Sequence, residues 1–181
     1  MPEDRRESYY HGCLRESGSR YPGFDPLNFQ VFLSLLYTYD VYHQTVARYM
    51  ADFGLSKSTL NILMLLRHGP AAGMQLHDLG ELLLVSRANI TGLIDHLEEK
   101  GYVTRMVDTN DRRARYARIT KTAETLLDEF VPVHQGNIHL LMGNLTTGEK
   151  EMLVTLLKKT RSSVMAHSEE CATRACDVAN G

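Results

Sequence analysis

The stretch from residue 84 to residue 120 reads LVSRANITGLIDHLEEKGYVTRMVDTNDRRARYARIT, and its first part predicts a helix. Ser86 is suited to accept a backbone N–H of the first turn as an N-cap, and Gly101 supplies the left-handed conformation that commonly ends a helix. Between them, apolar residues recur at helical spacing: Ile90, Leu93, Ile94 and Leu97. We therefore expect a helix from about Arg87 to Lys100, with a boundary error of about two residues.

Two short runs after this helix have the composition of β-strands. Residues 102–107 and 114–119 are rich in β-branched and aromatic residues, and the stretch between them has turn chemistry, which together predict a hairpin. Six basic residues and two acidic ones give residues 105–121 a local charge of +4, whereas the whole chain has −2. The basic residues are Arg105, Arg112, Arg113, Arg115, Arg118 and Lys121, and the acids are Asp108 and Asp111.

A capped helix followed by a basic hairpin is typical of a winged helix-turn-helix, which predicts binding to DNA. The helix would read base edges in a major groove, and the hairpin, or wing, would place an arginine in the adjacent minor groove. The residues expected to contact DNA are Ser86, Arg87, Ala88, Asn89, Thr91, Gly92, Arg112, Arg113 and Arg115. Asp108 and Asp111 are expected to orient the wing, Asp111 by pairing with a following arginine. A solvated charged turn is the plainer interpretation of the hairpin charges.

The outward face of the predicted helix changes character along its length. Its first two turns are small and polar, whereas Asp95 and Glu99 follow on the same face and would repel phosphates. Only the N-terminal half is therefore expected to enter a groove, with further contact shifted to the wing. Gly92 costs the helix roughly 1 kcal/mol relative to Ala. It is expected either to allow close approach to a base pair or to lie on an ordinary exposed surface.

These residues resemble the MarR family of bacterial transcriptional regulators. The resemblance extends from about residue 25 to residue 167 and is specific over residues 76–120. It rests on Leu83-x-Val85-Ser86, Ile90-Thr91-x-Leu93-Ile94-Asp95-x-Leu97-Glu98, Gly101-Tyr102-Val103-x-Arg105, Asp108-x-x-Asp111-Arg112-Arg113 and Ile119-Thr120. It implies an obligate homodimer with one winged helix per protomer, bound to an inverted repeat, often repressing a nearby operon and released by a small molecule or oxidant.

The sequence departs from the family pattern at four positions, which bear on base preference more than on fold. Gly92 stands where the family often has Arg, and Asn89 where it often has Thr. Asn110 replaces a common wing proline, and Ala123 replaces a common glycine.

The expected fold class is mainly α with a small β-hairpin wing, in which N- and C-terminal helices form a dimerisation bundle. Residues 27–42, LNFQVFLSLLYTYDVY, are apolar on almost every face, so that this helix must be covered on several sides. The predicted organisation is a loosely ordered extension (1–25), dimerisation helices (26–55 and 121–168), a DNA-binding lobe (56–120) and a C-terminal tail (169–181). Within it, we expect a break near Pro132 and a capping box at residues 146–149.

Composition narrows the functional class. A chain of 181 residues with 43% hydrophobic content suits one domain plus dimerisation helices. The sequence has no run of 18 apolar residues and no secretory pattern in residues 1–25, so we expect a cytoplasmic protein. It also lacks a phosphate loop, a nucleophile elbow and an HExxH motif, and we expect neither an enzyme nor a cofactor.

An effector site is a further expectation, with two interpretations. Tyr39, Tyr42 and His43 belong to an aromatic cluster on the first long helix and would line a cleft for a phenolic acid or a drug-like anion. The plainer interpretation is that these rings form dimer core with satisfied hydroxyl groups.

Two alternative functions stay open at this stage. In a redox- or metal-responsive regulator of the same fold, terminal arms would bring together the residues His11, Cys13, His167, Cys171 and Cys176. Terminal residues of these types are more often exposed bystanders, and we assign no metal site. A winged-helix module that binds another protein would show exposed apolar anchors in place of the wing arginines.

Overall fold

The computed structural model describes residues 5–107 and 115–179, and within them the chain is helical apart from one small sheet. The helices are α1 (Arg5–Arg20), α2 (Pro26–Asp52), α3 (Lys57–His68), α4 (Leu76–Leu83), α5 (Arg87–Glu99), α6 (Lys121–Leu141) and α7 (Thr147–Ala179). The strands are β1 (Met74–Gln75), β2 (Val103–Val107) and β3 (Arg115–Ile119). The predicted fold class, mainly helical with a small β wing, is confirmed.

The helix-turn-helix is formed by α4 and α5. The turn begins at Leu84, the C-cap of α4, whose φ of 54° and ψ of 42° lie in the left-handed region. Gly80 is buried where α4 meets the turn, and a Cβ there would lie only 3.4 Å from the carbonyl oxygen of Val85. An added Cβ would therefore make ordinary van der Waals contact with the turn and with Ile90 of α5.

Local signals fix the recognition helix α5 as the sequence predicts. Ser86 is its N-cap, and its Oγ accepts the backbone N–H of Asn89 at 3.3 Å. Gly101 has a φ of 71°, and the next residue, Tyr102, donates its N–H to the carbonyl of Leu97 at 2.9 Å. This arrangement satisfies carbonyls at the end of the helix that would otherwise lack partners.

The inner face of α5 packs into the core of the lobe. Ile90, Ile94 and Leu97 are at most 1% exposed, as the helical spacing predicts. Residues of the neighbouring elements share this core: Ile62, Leu63, Leu79, Val103 and Ala117. Burying each of the Ile, Leu and Val side chains contributes about 1.5–3 kcal/mol. This burial fixes which face of α5 points outward.

The sheet contains the predicted hairpin and one strand that the sequence analysis missed. β2 and β3 pair antiparallel, with Arg105 opposite Ala117, and β1 pairs antiparallel with the other edge of β3. Gly73 precedes β1 with a φ of 97°, and a Cβ at this position would lie 2.7 Å from the carbonyl oxygen of Ala117. Only glycine fits this conformation and this close approach without strain.

The expectation that residues 1–25 are loosely ordered is wrong for residues 5–20, which form α1. The helix contacts α2 and buries Leu14 to 9% exposure. Arg6 of α1 pairs with Asp40 at 3.1 Å, and its guanidinium lies 4.5 Å from the ring centroid of Tyr37. Apolar and ionic contacts with the following helix, α2, therefore order a segment whose composition suggested a loose one.

Two expectations about the C-terminal region are also wrong. Helix α7 continues through residue 179 instead of leaving a tail from residue 169, because the chain has no Pro or Gly between Gly148 and Gly181 to stop it. Helix α6 passes through Pro132 without a break, since a proline removes only one backbone donor and a surrounding helix can accommodate that loss.

The chain divides into two compact units, residues 1–127 and residues 128–181. The first unit contains α1, α2 and the winged helix, and the second contains the end of α6 and all of α7. Helix α7 begins with the predicted capping box, in which Glu149 accepts the Thr146 N–H at 2.7 Å and donates its own N–H to Thr146 Oγ1 at 3.3 Å. None of the helices in the described ranges is both long and apolar enough to cross a membrane.

Candidate nucleic-acid interface

The N-terminal half of α5 presents a small polar surface to solvent, which we call the reading surface. Its members are all exposed: Ser86, Arg87, Ala88, Asn89 and Gly92. A Cβ added at Gly92 would meet no atom within 4 Å. The outward orientation follows from the burial of Ile90 and Ile94, since residues on the opposite side of a helix must face away from the core.

Thr91 differs from its neighbours because it is half-buried. Its hydroxyl donates to the carbonyl of Arg87 at 2.9 Å, within the same helix. The hydroxyl oxygen can still accept a hydrogen bond, whereas its proton is already used. Thr91 therefore lies at the margin of the reading surface.

The wing places further positive charge beside the recognition helix. Arg115 and Arg118 of β3 are exposed, and Arg115 pairs in register with Val107, the last residue of β2. Four of the residues proposed for the wing tip, Asp108, Asp111, Arg112 and Arg113, lie outside the described residues. Arg115 is the first residue of β3 and the first described residue after the proposed wing tip.

Arg105 was counted with the wing charge, but its side chain faces the recognition helix. In β2 it lies two residues after buried Val103, on the same face of the strand. Its guanidinium forms an ion pair with Asp95 and donates to the carbonyl oxygen of Thr91 at 3.0 Å. Asp95 is therefore paired, which corrects the expectation that it would act as a bare negative charge near DNA. Glu99 is exposed on the same helix, as expected.

A second contact strengthens the attachment of β2 to α5. Arg105 Nε lies 3.4 Å from Glu98 Oε2, an ion-pair distance that lacks hydrogen-bond geometry. The backbone N–H of Arg105 donates to the other carboxylate oxygen of Glu98 at 3.1 Å. One arginine thus contacts two acids of the recognition helix.

A cavity of about 420 Å³ lies beside the helix-turn-helix in the first unit. Tyr39 and His43 line it, with ring centroids 5.5 Å apart, whereas Tyr42 is not among its lining residues. Lys57 also lines it, and its Nζ lies 3.4 Å from the hydroxyl oxygen of Tyr39. Leu93 of α5 also lines this cavity.

Lys57 and Arg105 were missed as site residues by the sequence analysis. The signal for Lys57 is its position as the first residue after the N-cap Ser56, where a helix N-terminus and an ammonium group add positive charge. The signal for Arg105 is weaker, since only the alternation of side chains along β2 places it with Val103.

The cysteine and histidine residues considered for a redox or metal sensor are distributed between the two units. Cys13 is half-buried in α1, and Cys171 is exposed in α7. His167 Nδ1 lies 2.9 Å from the carbonyl oxygen of Ser163. The side chains of His11 and Cys176 lie outside the description. Across the described ranges, no group of three or more His, Cys, Asp or Glu side chains is arranged to hold a metal ion.

The chain is similar in sequence to known transcriptional regulators. The sequence profile of the MarR family matches residues 55–114, which contain α3, β1, α4, α5 and β2. The HTH-type transcriptional repressor YetL of Bacillus subtilis (strain 168) is 31% identical over 144 residues, which cover 80% of this chain and 86% of YetL.

Two solved structures with DNA share the fold. A MarR family transcriptional regulator from Streptomyces coelicolor, in complex with DNA, aligns with a TM-score of 0.74 and 16% identity, over 80% of this chain and 91% of that one. The S. aureus MepR–DNA complex aligns with a TM-score of 0.66 and 21% identity, over 74% of this chain and 96% of that one.

Proposed function

We propose that this chain, which belongs to the MarR family of transcriptional regulators, binds an inverted repeat in double-stranded DNA as a homodimer and represses transcription. One observation carries the proposal. The reading surface of α5 is small, polar and outward-facing, and α5 packs against β2, which pairs with the strand β3 that bears the exposed residues Arg115 and Arg118. A major groove admits such a helix, while arginines beside it suit phosphates and a narrow minor groove.

The dimer is supported by apolar side chains that stay exposed in the single chain. In α7 every residue from Glu151 to Cys171 whose exposure is described is exposed. Four leucine and valine residues nevertheless recur along one face of it: Leu153, Leu156, Leu157 and Val164. In α2 the exposed apolar residues include Leu27, Val31, Phe32, Leu36 and Val41. We infer that a second copy of the chain covers these faces, because exposed apolar surface of this extent marks an interface.

A two-fold symmetric dimer explains why the target would be an inverted repeat. Each protomer contributes one α5, and the two helices must enter major grooves about one helical turn, or roughly 34 Å, apart. Each half-site then carries the same sequence in opposite orientation. Occupation of such a site near a promoter excludes polymerase, and this agrees with the repressor role in the name of YetL. We propose that the protein is located in the cytoplasm, where its DNA target lies.

The test of DNA binding uses arginines of the wing. Arg113→Ala and Arg115→Ala are each expected to weaken binding to operator DNA by about tenfold or more and to lower the salt dependence, because each removes a phosphate or minor-groove contact. Fluorescence anisotropy with DNA flanking the protein's own gene measures both effects. Arg20→Ala, an exposed arginine at the end of α1, is the matched control. Wild-type affinity in both wing variants would contradict the wing assignment.

We also propose that the 420 Å³ cavity binds a phenolic acid or a similar aromatic anion that releases DNA. Support comes from Tyr39 and His43, which offer rings, and from Lys57 at the N-terminus of α3, which offers positive charge. Leu93 connects the cavity wall to the recognition helix, so that a bound ring can shift α5. Such coupling requires that the ligand bind the DNA-free arrangement more tightly.

Hydroxybenzoic acids titrated against the protein–DNA complex test this effector site. We expect release of DNA from the wild-type protein, and Lys57→Ala is expected to raise the required concentration about tenfold, because one charge-assisted contact is lost. Lys121→Ala, which removes an exposed lysine outside the cavity lining, is the control. If no acid releases DNA, or if Lys57→Ala responds like the control, the effector proposal fails while DNA binding stands.

A further inference from the structure

The connection between the wing and the recognition helix depends on one side chain, that of Arg105. It is 21% exposed, compared with 51% for Asp95 and 43% for Glu98. The guanidinium therefore lies beneath the acids that it contacts, on the side of the protein, and the carboxylates lie toward solvent. An arginine in this position is poorly placed to reach a phosphate itself.

The first consequence concerns charge. Asp95 lies one turn beyond Thr91 on α5, so that its carboxylate follows directly after the reading surface. A carboxylate in that position repels the DNA backbone unless a cation neutralises it. Arg105 pairs with Asp95 and lies 3.4 Å from Glu98 Oε2. It thereby offsets negative charge on the part of α5 that follows the reading surface.

The second consequence concerns geometry. Arg105 donates to the carbonyl oxygen of Thr91, in the middle of α5, while its backbone belongs to the ladder of β2 and β3. The planar guanidinium holds a backbone carbonyl and a carboxylate of the same helix at once. This arrangement fixes the position of the wing strand relative to the recognition helix. DNA binding by both elements requires that position to be constant, since they enter adjacent grooves.

We propose that Arg105 is a positioning residue for DNA recognition, which neutralises Asp95 and locks the wing to α5 without contacting DNA. The inference rests on the proposed DNA-binding function. It adds a role for a wing residue that faces inward, and it makes Asp95, the acid next to the reading surface, compatible with a nearby phosphate backbone. Removing Arg105 leaves the Asp95 carboxylate free to repel the DNA phosphates. Replacing Asp95 as well removes that repulsion.

The experiment is a double-mutant cycle on operator affinity, measured by anisotropy across salt concentrations. Arg105→Met keeps the aliphatic stem and is expected to weaken binding at least tenfold. Asp95→Asn alone is expected to bind within about threefold of wild type. The double variant, Arg105→Met with Asp95→Asn, is expected to recover at least threefold of the affinity that Arg105→Met loses. The salt slope is expected to stay near the wild-type value in all three, since no phosphate contact is removed.

Other outcomes overturn the inference in distinguishable ways. If Arg105 binds phosphate directly, Arg105→Met lowers the salt slope by about one per protomer and Asp95→Asn does not rescue it. If Arg105 serves stability only, the double variant binds as weakly as Arg105→Met. Circular dichroism and thermal melting check the fold of each variant. Wild-type protein that fails to bind DNA would instead contradict the proposed function itself.

Arg105→Lys and the Asp95→Asn variant of the cycle keep the test valid if Arg105→Met does not fold. Arg105→Lys retains the charge but cannot hold the Thr91 carbonyl and Asp95 together, and is expected to bind between wild type and a tenfold loss. An Arg105→Lys protein with wild-type affinity would contradict the locking role. Asp95→Asn alone must not weaken binding tenfold, because the proposal gives the carboxylate no favourable part in DNA contact.

Discussion

Substituting Gly92 by Ala is expected to change stability and DNA affinity in opposite directions. Gly92 is the sixth residue of α5, in the helix interior, where Gly costs about 1 kcal/mol relative to Ala. A Cβ at this position meets no atom within 4 Å, so no steric cost offsets the gain in the free protein. We therefore expect a free energy of unfolding higher by up to about 1 kcal/mol, and a rise of roughly 2–4 °C in the melting temperature.

The same methyl group is expected to weaken DNA binding. If the backbone of α5 approaches base edges at Gly92, the added carbon occupies space that the bases need and moves the whole helix outward. A loss of about 1.4 kcal/mol in binding, or tenfold in the dissociation constant, is the smallest effect that this close approach predicts. Gly92→Glu, which adds length and negative charge, is expected to abolish specific binding.

Differential scanning calorimetry and anisotropy titration on the same preparation measure the two effects. Gly12→Ala is the matched control, because Gly12 lies inside helix α1 with no atom within 4 Å of an added Cβ. It is expected to share the stability gain without a change in DNA affinity. A Gly92→Ala protein that is more stable and binds DNA as wild type does would refute the close approach and make Gly92 an ordinary surface residue.

Two remaining predictions concern α7. Leu157→Glu is expected to raise the dimer dissociation constant at least a hundredfold, because burying an unpaired carboxylate costs several kcal/mol per ion. Sedimentation equilibrium measures this dissociation constant. Thr155→Glu, on the opposite face of α7, is the control. Hydrogen bonds from the backbone and side chain of Thr146 lower the pKa of Glu149, and Thr146→Ala, which removes only the side-chain bond, is expected to raise that pKa part of the way toward its ordinary value in an NMR titration. Because the folded-state pKa is depressed, this cap stabilises the helix above the ordinary carboxyl pKa, and the contribution is lost as pH falls through the folded value. An unchanged pKa in the variant would contradict the capping box.

The parts of the fold that sequence could predict are those decided by neighbouring residues. Ser86 caps a helix through a backbone group three residues away, and Gly101 ends it through its own φ. The burial of Ile90, Ile94 and Leu97 follows from spacing alone. The recognition helix and hairpin were therefore predictable to within two residues.

The missed features depend on residues that are distant in sequence. β1 has two residues, too few to show a periodicity, and it exists because it pairs with Ala117 and Tyr116 of β3. Helix α1 is held by contacts with α2, among them the pairing of Arg6 with Asp40. Local propensity cannot predict either interaction, since both depend on tertiary packing.

The candidate site shows the same division. Exposure of the reading surface follows from helical periodicity, whereas the pairing of Asp95 with Arg105 requires the fold that places β2 beside α5. The sequence analysis counted Arg105 only in the basic charge of the hairpin and treated Asp95 as a group that would repel phosphates. The folded chain pairs the two and leaves exposed positive charge on Arg87, Arg115 and Arg118.

The central claim, that a dimer grips DNA through α5 and a basic wing, is tested most directly by the salt dependence of binding to DNA flanking the protein's own gene. If each protomer contacts DNA through the proposed residues Arg87, Arg112, Arg113 and Arg115, the dimer makes up to eight phosphate or groove contacts. With about −0.9 per contact, a plot of log association constant against log salt is expected to have a slope near −7, at a stoichiometry of one dimer per site. Absence of saturable binding, or a slope near zero, would contradict the account.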